Sequence, residues 1–364
     1  MKILILGGTG AMGTPLVNIL SNDDSKKVYV TSRSKRNDFK NVHYLIGNAK
    51  EDNFLDELLK DKWDVIIDFM IYNSNEFSTK IDKLLTNCNQ YFFLSSSRCY
   101  ADSKELITES SDRLIDVCID EEYIKLDEYG YAKSREENIL FNSKYSNFTI
   151  IRPYITYNTY RIQLGVYEKD AWLQRALRGK SIVFPKDIAS HYTSLTYGED
   201  VAKNMVALIG NTKALGQAFH IVTEEYHTWD EILHFYVDTI YELTGKRVKI
   251  KYLEDSKPLY EIGNKWQIKY DRLYDRKFSN KKIKSITDNV EYTKTFDGLR
   301  KSLVEFVKNP KYLYSNWSYE GWADRMAHEF TNPFKIPGFK NKLRYLKHRF
   351  VGKKNLASPT NSGG

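Results

Sequence analysis

A tyrosine and a lysine four residues apart are the residues of this chain best suited to acid–base chemistry. Tyr129 and Lys133 stand in Tyr-Gly-Tyr-Ala-Lys, and their spacing puts both on one face of a helix predicted to run through Phe141. A phenol titrates near pH ~10, and a nearby ammonium group stabilises its phenolate and lowers that pKa. Tyr129 can then exchange a proton with an alcohol or carbonyl oxygen near neutral pH. Tyr131 has Arg135 four residues on, so it does not compete for this role.

A hydroxyl donor for the same oxygen is available in a run of serines. Ser95, Ser96 and Ser97 end an apolar segment that is predicted to be a strand. Functional residues of parallel sheets lie beyond the carboxyl ends of the strands, so this run is expected near the helix of Tyr129.

The opening segment predicts the cofactor that such chemistry needs. The apolar residues Ile3–Leu6 indicate a strand buried on both faces and lead directly into a glycine-rich turn. Its spacing satisfies G-x-G-x-x-G, and a helix with Pro15 in its first turn follows. Such a turn brings backbone N–H groups close to a dinucleotide phosphate. The alternative is a purely structural glycine turn. The expected phosphate-binding residues are Gly7, Gly10, Ala11, Met12 and Gly13.

Strand-like and helical stretches alternate along the chain, which indicates βαβ units. We therefore predict an α/β fold with a Rossmann-type, doubly wound parallel sheet. After the strand at residues 2–6, the predicted strands are Lys27–Thr31, Val42–Ile46, Asp64–Phe69, Tyr91–Ser95, Phe148–Arg152 and Ala218–Val222.

Residues after the second and third strands indicate the cofactor type. No acid follows the second strand before Asp38, whereas Ser32 and Arg33 do, which favours NADP(H), with NAD(H) as the alternative. A solvated basic loop would look the same. Asn48 is placed to meet the adenine or to shape a turn, and Phe69 to line the cofactor groove or to pack in the core.

Composition and charge limit the class of protein. Three cysteines without metal-ligand spacing favour a reducing compartment and no metal site. No apolar run approaches the length of a signal peptide or a membrane span, so we expect a cytoplasmic protein.

The net charge of +8 equals the charge of the eight basic residues that follow Glu329, after which no acid occurs. The basic character thus belongs to the tail, and we expect no nucleic-acid partner.

At this point the chain resembles the extended short-chain dehydrogenase/reductase family, in its nucleotide-sugar epimerase/dehydratase/reductase branch. The resemblance covers about residues 1–310 and includes the glycine turn, Ser95–Ala101, Tyr129 with Lys133, Arg152-Pro153, and residues 198–202 and 216–221. It implies a Rossmann domain with a smaller C-terminal α/β substrate lobe and hydride transfer with a nucleotide-activated sugar. Anchoring on Tyr100 implies that Ser96 is the catalytic serine, acting with Tyr129 and Lys133, which also bind the cofactor.

Two departures concern the substrate. Tyr157-Asn158-Thr159 replaces the family's Tyr-Gly-Pro, and Thr193 occupies the position of an arginine that the family uses on the substrate diphosphate. Arg161, Arg175, Arg178 or His191 could take over that contact, because guanidinium groups suit phosphate, or be ordinary solvated residues. Ser97 is the fallback serine and a further candidate substrate contact.

The expected organisation is a dinucleotide-binding domain of residues 1–155 and 191–222, a substrate lobe of residues 156–190 and 223–330, and a basic tail of residues 331–364. The aromatic group Tyr312–Trp322 packs on the lobe or lines a surface. In the tail, Leu343, Leu346 and Phe350 form an apolar stripe that packs on its own body, on a second copy in a homodimer, on another partner or on an anionic membrane surface. Residues 357–364 are expected to be disordered.

The leading hypothesis is an NADPH-dependent reductase of a keto-sugar nucleotide. A nucleotide-sugar 4-epimerase with tightly bound NAD is the alternative, and a dehydratase ranks third because Ser97-Arg98 stands where an Asp-Glu pair is needed. From another class, a non-catalytic NADP(H)-binding regulatory protein would not need Ser96, Tyr129 and Lys133.

Overall fold

The computed structural model describes residues 1–288 and 291–351, and the predicted disordered end at residues 357–364 lies outside this range. The chain divides into two compact units. Unit 1 comprises Met1–Ile162, His191–Thr228 and Tyr274–Lys308, and unit 2 comprises Gln163–Ser190, Trp229–Leu273 and the described residues from Asn309 onward.

Unit 1 is built on a seven-stranded parallel sheet with the order β11-β6-β5-β4-β1-β2-β3. The predicted α/β, Rossmann-type sheet is therefore confirmed, with strand ends shifted by up to three residues. The strands of this sheet are β1 (Lys2–Leu6), β2 (Lys27–Ser32), β3 (Val42–Ile46), β4 (Trp63–Asp68), β5 (Cys88–Leu94), β6 (Phe148–Pro153) and β11 (Gln217–Ile221).

Apolar side chains on both sides of the sheet explain why its strands are nearly continuous hydrophobic runs. Ile3 and Ile5 belong to one buried cluster, which includes residues of the helices at Gly13–Leu20 and Gly198–Leu208. Leu4 and Leu6 belong to the other, with residues of the helices at Asp52–Leu58, Ser74–Thr86 and Tyr129–Phe141. Alternate residues of β1 thus pack into the two hydrophobic cores on opposite faces of the sheet.

Helices α1 to α6, α9, α12 and α13 belong to unit 1, together with short strand pairs. The helices are α1 (Gly13–Leu20), α2 (Asp52–Leu58), α3 (Ser74–Thr86), α4 (Leu114–Val117), α5 (Glu121–Lys125), α6 (Tyr129–Phe141), α9 (Gly198–Leu208), α12 (Lys281–Lys284) and α13 (Thr295–Lys308). The strands β7 (Thr156–Tyr157) and β10 (Thr196–Tyr197) pair in parallel, and β9 (Tyr192–Thr193) and β12 (His227–Thr228) pair antiparallel. Short 3₁₀ turns cover Ser97–Cys99 and Thr212–Ala214.

Unit 2 combines a two-stranded parallel sheet with helices and a buried ionic cluster. Its elements are β8 (Ile182–Pro185), β13 (Ile250–Leu253), α7 (Trp172–Ala176), α8 (Lys186–Ala189), α10 (Trp229–Thr244), α11 (Lys265–Gln267), α14 (Trp317–Met326) and α15 (Phe339–Phe350), with 3₁₀ turns at Lys257–Ile262 and Pro333–Lys335 and a π-helical turn at Ile268–Arg272. The buried Trp317, Tyr319 and Trp322 of the predicted aromatic group pack in the interior. Among the described residues, every helix is too short or too polar to cross a membrane.

The two units divide the chain differently from the expected boundaries. Residues 274–308, expected in the substrate lobe, belong to unit 1, where Ile283 enters a sheet-face cluster and the Thr295 carbonyl accepts a hydrogen bond from Tyr157. The tail helix belongs to unit 2, where the Tyr345 hydroxyl donates to Asp324 on α14. Both differences arise because residues late in the chain contact residues elsewhere in the chain. Local sequence patterns do not reveal such contacts.

Candidate functional site

The glycine turn after β1 is closed by contacts that exclude larger side chains. Gly7 has φ +75°, and a Cβ there would lie 2.8 Å from the Met70 sulfur. A Cβ on Gly13 would lie 2.6 Å from the Gly8 backbone, which explains why the start of α1 needs glycine. Beside Gly10, by contrast, nothing lies within 4 Å of a Cβ position. The turn is thus closely packed at Gly7 and Gly13 and has open space beside Gly10.

Other parts of unit 1 hold this turn from two sides. The Gly7 amide donates to the Thr31 hydroxyl of β2 at 2.9 Å, and the Asn158 side chain donates to the Ala11 carbonyl at 2.8 Å. A Cβ on Gly198, at the start of α9, would lie 2.5 Å from the same carbonyl oxygen. The family-typical glycine at position 158 is thus replaced by a residue whose amide fixes the loop.

The N-terminus of α1 can receive an anion. Met12 is the N-cap and offers no side-chain cap, and the first turn contains no acid. The N–H groups of Ala11, Met12 and Gly13 have no acceptor among the described residues. Such groups at a helix N-terminus, beside open space at Gly10, fit a dinucleotide pyrophosphate.

The loop after β2 presents cations and no carboxylate at its start. Ser32 is buried and its hydroxyl donates to the Ser34 carbonyl at 2.9 Å, whereas Arg33 is exposed. The first acid, Asp38, accepts hydrogen bonds from the Tyr44 amide and from His43, and these hold its pKa below the usual value. Arg33, the residue directly after β2, is therefore the first exposed cation of this loop.

Two further expected cofactor residues have clear local roles. The Asn48 side-chain oxygen Oδ1 accepts a hydrogen bond from the Lys50 backbone N–H at 3.2 Å, and the Asn48 side-chain amide donates to Glu51, so Asn48 shapes the turn after β3. Phe69 is half-buried and packs against one sheet-face cluster, and its backbone lies against Gly7.

The three serines after β5 have different partners. Ser95 donates to Glu137 at 2.6 Å and Ser97 donates to the Arg152 carbonyl at 2.8 Å, and both are buried. Ser96 accepts a hydrogen bond from the Arg98 amide at 3.2 Å, and its own hydroxyl proton has no acceptor among the described residues. Ser96 is therefore the serine whose hydroxyl group is available to donate a hydrogen bond to a ligand. Ser97, a candidate substrate contact, is committed to the backbone instead, and we withdraw it.

Tyr129 is the first residue of α6 and is 36% exposed. This helix start abuts the serine turn, because a Cβ on Gly130 would lie 2.8 Å from the Arg98 carbonyl oxygen. The Arg98 guanidinium lies 5.3 Å from the centre of the Tyr129 ring and pairs with Glu128, the N-cap of α6. The phenol thus lies beside a cation and beside the segment that carries Ser96.

Lys133 is more deeply buried than the Tyr-x-x-x-Lys pattern suggests. It is buried, its ammonium donates to Glu136 at 2.8 Å, and it lies 4.6 Å from the centre of the Phe93 ring. Burial raises the pKa of Glu136 to about 7, although Lys133 opposes the shift. The structure therefore gives the lysine a carboxylate partner that the Tyr-x-x-x-Lys pattern does not reveal.

A second buried acid ends β4 in the same region. Asp68 accepts hydrogen bonds from the Tyr91 hydroxyl at 2.9 Å and from the Met70 amide at 2.8 Å. Burial raises its pKa to about 6, against the lowering effects of those bonds and of the Lys133 charge. An aspartate that ends an apolar strand is the sequence signal that could have identified this group.

A second polar network supports the carboxyl ends of β5 and β6. Glu137 accepts two hydrogen bonds from Arg152, at 2.8 and 2.7 Å, and a third from Arg113. Burial opposes its ionisation, but the charges of Arg152 and Arg113 and the hydrogen bonds from Arg152 and Ser95 together outweigh burial and hold the pKa of Glu137 below its usual value. Arg152 also donates to the Tyr100 hydroxyl at 2.9 Å. This network fixes the strand ends from which Ser96 projects.

The candidate substrate cations lie in different surroundings. In unit 1, Arg161 is half-buried and pairs with Asn158 through the backbone, and His191 lies 3.1 Å from an oxygen of Asp275. In unit 2, Arg175 is fully buried and pairs with Asp324 and two further carboxylates, Glu320 and Glu329. An arginine enclosed by three acids stabilises the unit, so we withdraw Arg175 as a substrate contact. The exposed Arg178 pairs with Glu320.

Comparisons with known proteins agree with this architecture. Residues 3–222 match the sequence model of the NAD dependent epimerase/dehydratase family. A relative from Arabidopsis thaliana, chloroplast stem-loop binding protein of 41 kDa b, is 26% identical over 251 residues, which are 63% of this chain and 60% of that protein.

Solved structures share the fold at low identity. UDP-glucuronic acid 4-epimerase from Bacillus cereus, with UDP-glucuronic acid and NAD, has a TM-score of 0.65 and 16% identity and covers 85% of this chain and 100% of its own. The dTDP-glucose 4,6-dehydratase from Bacillus anthracis, with NAD, has a TM-score of 0.64 and 18% identity and covers 85% of this chain and 97% of its own.

Proposed function

We propose that this chain, which belongs to the NAD-dependent epimerase/dehydratase family, is an NADPH-dependent reductase that acts on a keto-sugar attached to a nucleotide. The observation that carries the proposal is that two candidate hydroxyl groups belong to neighbouring segments of unit 1. Ser96 keeps an uncommitted proton, and the exposed Tyr129 begins the helix that abuts its turn. A pure cofactor-binding module has no use for this pair.

The cofactor part of the proposal rests on the glycine turn and on the loop after β2. Uncapped N–H groups and the open space beside Gly10 suit a pyrophosphate. Arg33, with no acid before Asp38, suits a ribose 2′-phosphate, because a guanidinium group matches phosphate in charge and geometry. When bound, the nicotinamide supplies the hydride.

The protein residues would then handle the proton and the oxygen. Tyr129 donates its phenolic proton to the substrate oxygen as negative charge develops there, and the Ser96 hydroxyl donates a second hydrogen bond to the same atom. Lys133 supplies a fixed positive charge that favours the phenolate left on Tyr129, and Glu136 holds that ammonium group in place. Arg98 adds a second cation beside the tyrosine ring.

The substrate class is supported by the relatives that share the fold, several of which carry UDP- or dTDP-linked sugars in their names. Arg161 and His191 are the proposed diphosphate contacts, since Arg175 is enclosed by carboxylates and Arg178 pairs with Glu320. A 4-epimerase with retained NAD is the second candidate, favoured by the epimerases among the solved relatives.

A single labelling experiment separates these functions. The purified chain is incubated with deuterated NADPH and a set of UDP- and dTDP-linked sugars, each supplied as the keto-sugar and as the corresponding alcohol, and cofactor oxidation, product mass and product configuration are measured. A reductase consumes NADPH and places deuterium on the sugar. An epimerase interconverts sugars with no net cofactor consumption and no label from the added NADPH. A regulatory protein binds the cofactor and turns over no substrate, which would refute the enzymatic proposal.

A further inference from the structure

The C-terminal helix α15 is fixed to unit 2 through one side. Tyr345 is its only fully buried residue among those described; its hydroxyl donates to Asp324 at 2.8 Å and accepts from the Thr331 amide at 2.7 Å. A Cβ on Gly321 would lie 2.3 Å from the Tyr345 carbonyl oxygen, so the α15 backbone lies directly on α14. The rotation of the helix about its axis is therefore fixed.

The apolar stripe of α15 lies on another side. At about 100° per residue, Phe339, Leu343, Leu346 and Phe350 fall within about 60° of the helix circumference, and Tyr345 lies about 130° from their centre. The exposed fractions are 74% for Phe339, 50% for Leu343 and 62% for Phe350. Of the surfaces on which the stripe was expected to pack, the protein's own body covers little of it: Phe339, Leu343 and Phe350 face solvent, and Leu346 is partly buried against unit 2.

A second exposed apolar group precedes the helix. Phe334, in the turn at Pro333–Lys335, is 90% exposed, and the Lys342 ammonium lies 6.0 Å from its ring centre. The turn and the stripe together form a surface of large apolar side chains, which soluble proteins rarely leave uncovered without a binding role.

Basic residues flank this surface and no acid interrupts it. Helical geometry puts Lys340 and Lys347 on one side of the stripe and Lys342 on the other. The chain contains no Asp or Glu after Glu329. None of the cations Lys335, Lys340, Lys342, Arg344 and Lys347 pairs with a carboxylate in residues 1–288 and 291–351.

We propose that α15 and the turn at Pro333–Lys335, together called the tail surface, bind the chain to an anionic lipid surface. An interfacial helix has this pattern: an apolar face enters the headgroup region while flanking lysines meet lipid phosphates. Because the outward apolar stripe is present while the inner side is held by Tyr345, the helix can lie flat on a bilayer without unfolding.

A nucleic acid fits the tail surface less well. Phosphate binding requires the cations but leaves the aliphatic Leu343 and Leu346 without a partner. Proteins that stack bases on aromatic rings hold the strand in a basic groove, whereas this stripe lies on the outer side of a helix. An anionic bilayer satisfies both the cations and the apolar side chains.

Flotation of the full chain with lipid vesicles tests the proposal. We expect binding to vesicles of phosphatidylglycerol with phosphatidylcholine and little binding to phosphatidylcholine alone. Leu343→Ser with Phe350→Ser should weaken binding by about tenfold or more. Lys340→Glu with Lys347→Glu should weaken it by at least about 25-fold, since each basic residue near such a surface contributes about a fivefold effect.

Matched controls separate a binding role from a folding role. Leu313→Ser changes a leucine in unit 2 that is 85% exposed and outside the tail surface, and Lys213→Glu changes an exposed lysine of unit 1. Both should bind vesicles as the unchanged chain does, and all variants should keep the thermal midpoint of unfolding. Equal binding to neutral vesicles, or no binding, would overturn the proposal. Loss of an RNA stem-loop complex or of self-association in the tail variants, without any vesicle binding, would overturn it too.

Discussion

Lys133 donates a 2.8 Å hydrogen bond to Glu136, one helical turn further along α6, and both side chains are buried. The Glu136 carboxylate partly offsets the positive charge of Lys133. The proposed mechanism uses that charge to stabilise the phenolate of Tyr129. Replacing Glu136 by glutamine removes the negative charge and keeps the size of the side chain. The lysine then favours the phenolate more strongly, so the apparent pKa that governs kcat should fall.

This shift is measured by the pH dependence of kcat for Glu136→Gln against the unchanged enzyme. Glu105→Gln, at an exposed carboxylate, is the control and should leave the profile where it is. An unaltered profile in Glu136→Gln would mean that the Lys133 charge does not act on the reacting proton.

Removing the Tyr129 hydroxyl should abolish most turnover. We expect Tyr129→Phe to lower kcat by about 10²–10⁴-fold, the usual contribution of a positioned acid or base. Cofactor affinity, measured by fluorescence titration, should fall far less than kcat, because the glycine turn is untouched. Tyr131→Phe, two residues further along the same helix, is the control. Comparable losses in the two variants would show that the helix rather than the Tyr129 hydroxyl matters.

The neighbouring serines should respond in opposite ways. Ser96→Ala removes an uncommitted donor, so kcat should fall on the order of 10²-fold with little change in the free energy of unfolding. Ser97→Ala leaves the Arg152 carbonyl without its buried donor, so the free energy of unfolding should fall by about 1–3 kcal/mol while activity persists. Steady-state kinetics and urea unfolding of both variants give the comparison; the reverse pattern would move the catalytic role to Ser97.

Arg33 should set the choice between the two nicotinamide cofactors. Losing a charged hydrogen bond to a 2′-phosphate should weaken NADPH binding by at least about tenfold and leave NADH binding unchanged. Calorimetric titration of Arg33→Ala measures both, with Lys27→Ala, at the opposite end of β2, as the control. Tighter NADH than NADPH binding in the unchanged protein would contradict the proposed preference.

Asp68 makes the stability of unit 1 depend on pH. Its folded pKa of about 6 lies above the unfolded value of 3.8, so the folded state binds the extra proton and stability is lost as the pH rises through that interval. The loss amounts to about 3 kcal/mol. Asp68→Asn stays uncharged and should be the more stable protein at pH values above about 6, by chemical unfolding, with the advantage shrinking below pH ~4. A pH-independent difference would refute the shift.

Apolar patterning predicted the sheet because most of its strands are buried on both faces. Runs such as Ile3–Leu6 and Phe148–Arg152 are buried throughout, and the structure places a strand at each. The helix at Tyr129–Phe141 was also predicted from its start, where Tyr129 and Lys133 identified the face.

Partners distant in the chain explain what the sequence did not reveal. The different roles of Ser95, Ser96 and Ser97 depend on Glu137 and Arg152, which reach them only in the folded sheet. The pairing of Lys133 with Glu136 is local, but only burial makes it matter for the lysine charge. The sequence predicts Arg175 as a possible ligand contact because its three carboxylate partners, all after residue 319, surround it only in the folded protein.

Unit 1 is assembled from three separate stretches of chain, the last of which ends at Lys308. During synthesis, the edge strand β11 and the core residue Ile283 leave the ribosome long after the glycine turn has been made. The nascent chain must therefore keep an incomplete sheet from aggregating while the first stretch of unit 2, Gln163–Ser190, is translated. Shortened versions that stop near residue 162 would lack one edge of the sheet, and a chaperone that shields exposed strands would be expected to engage this intermediate.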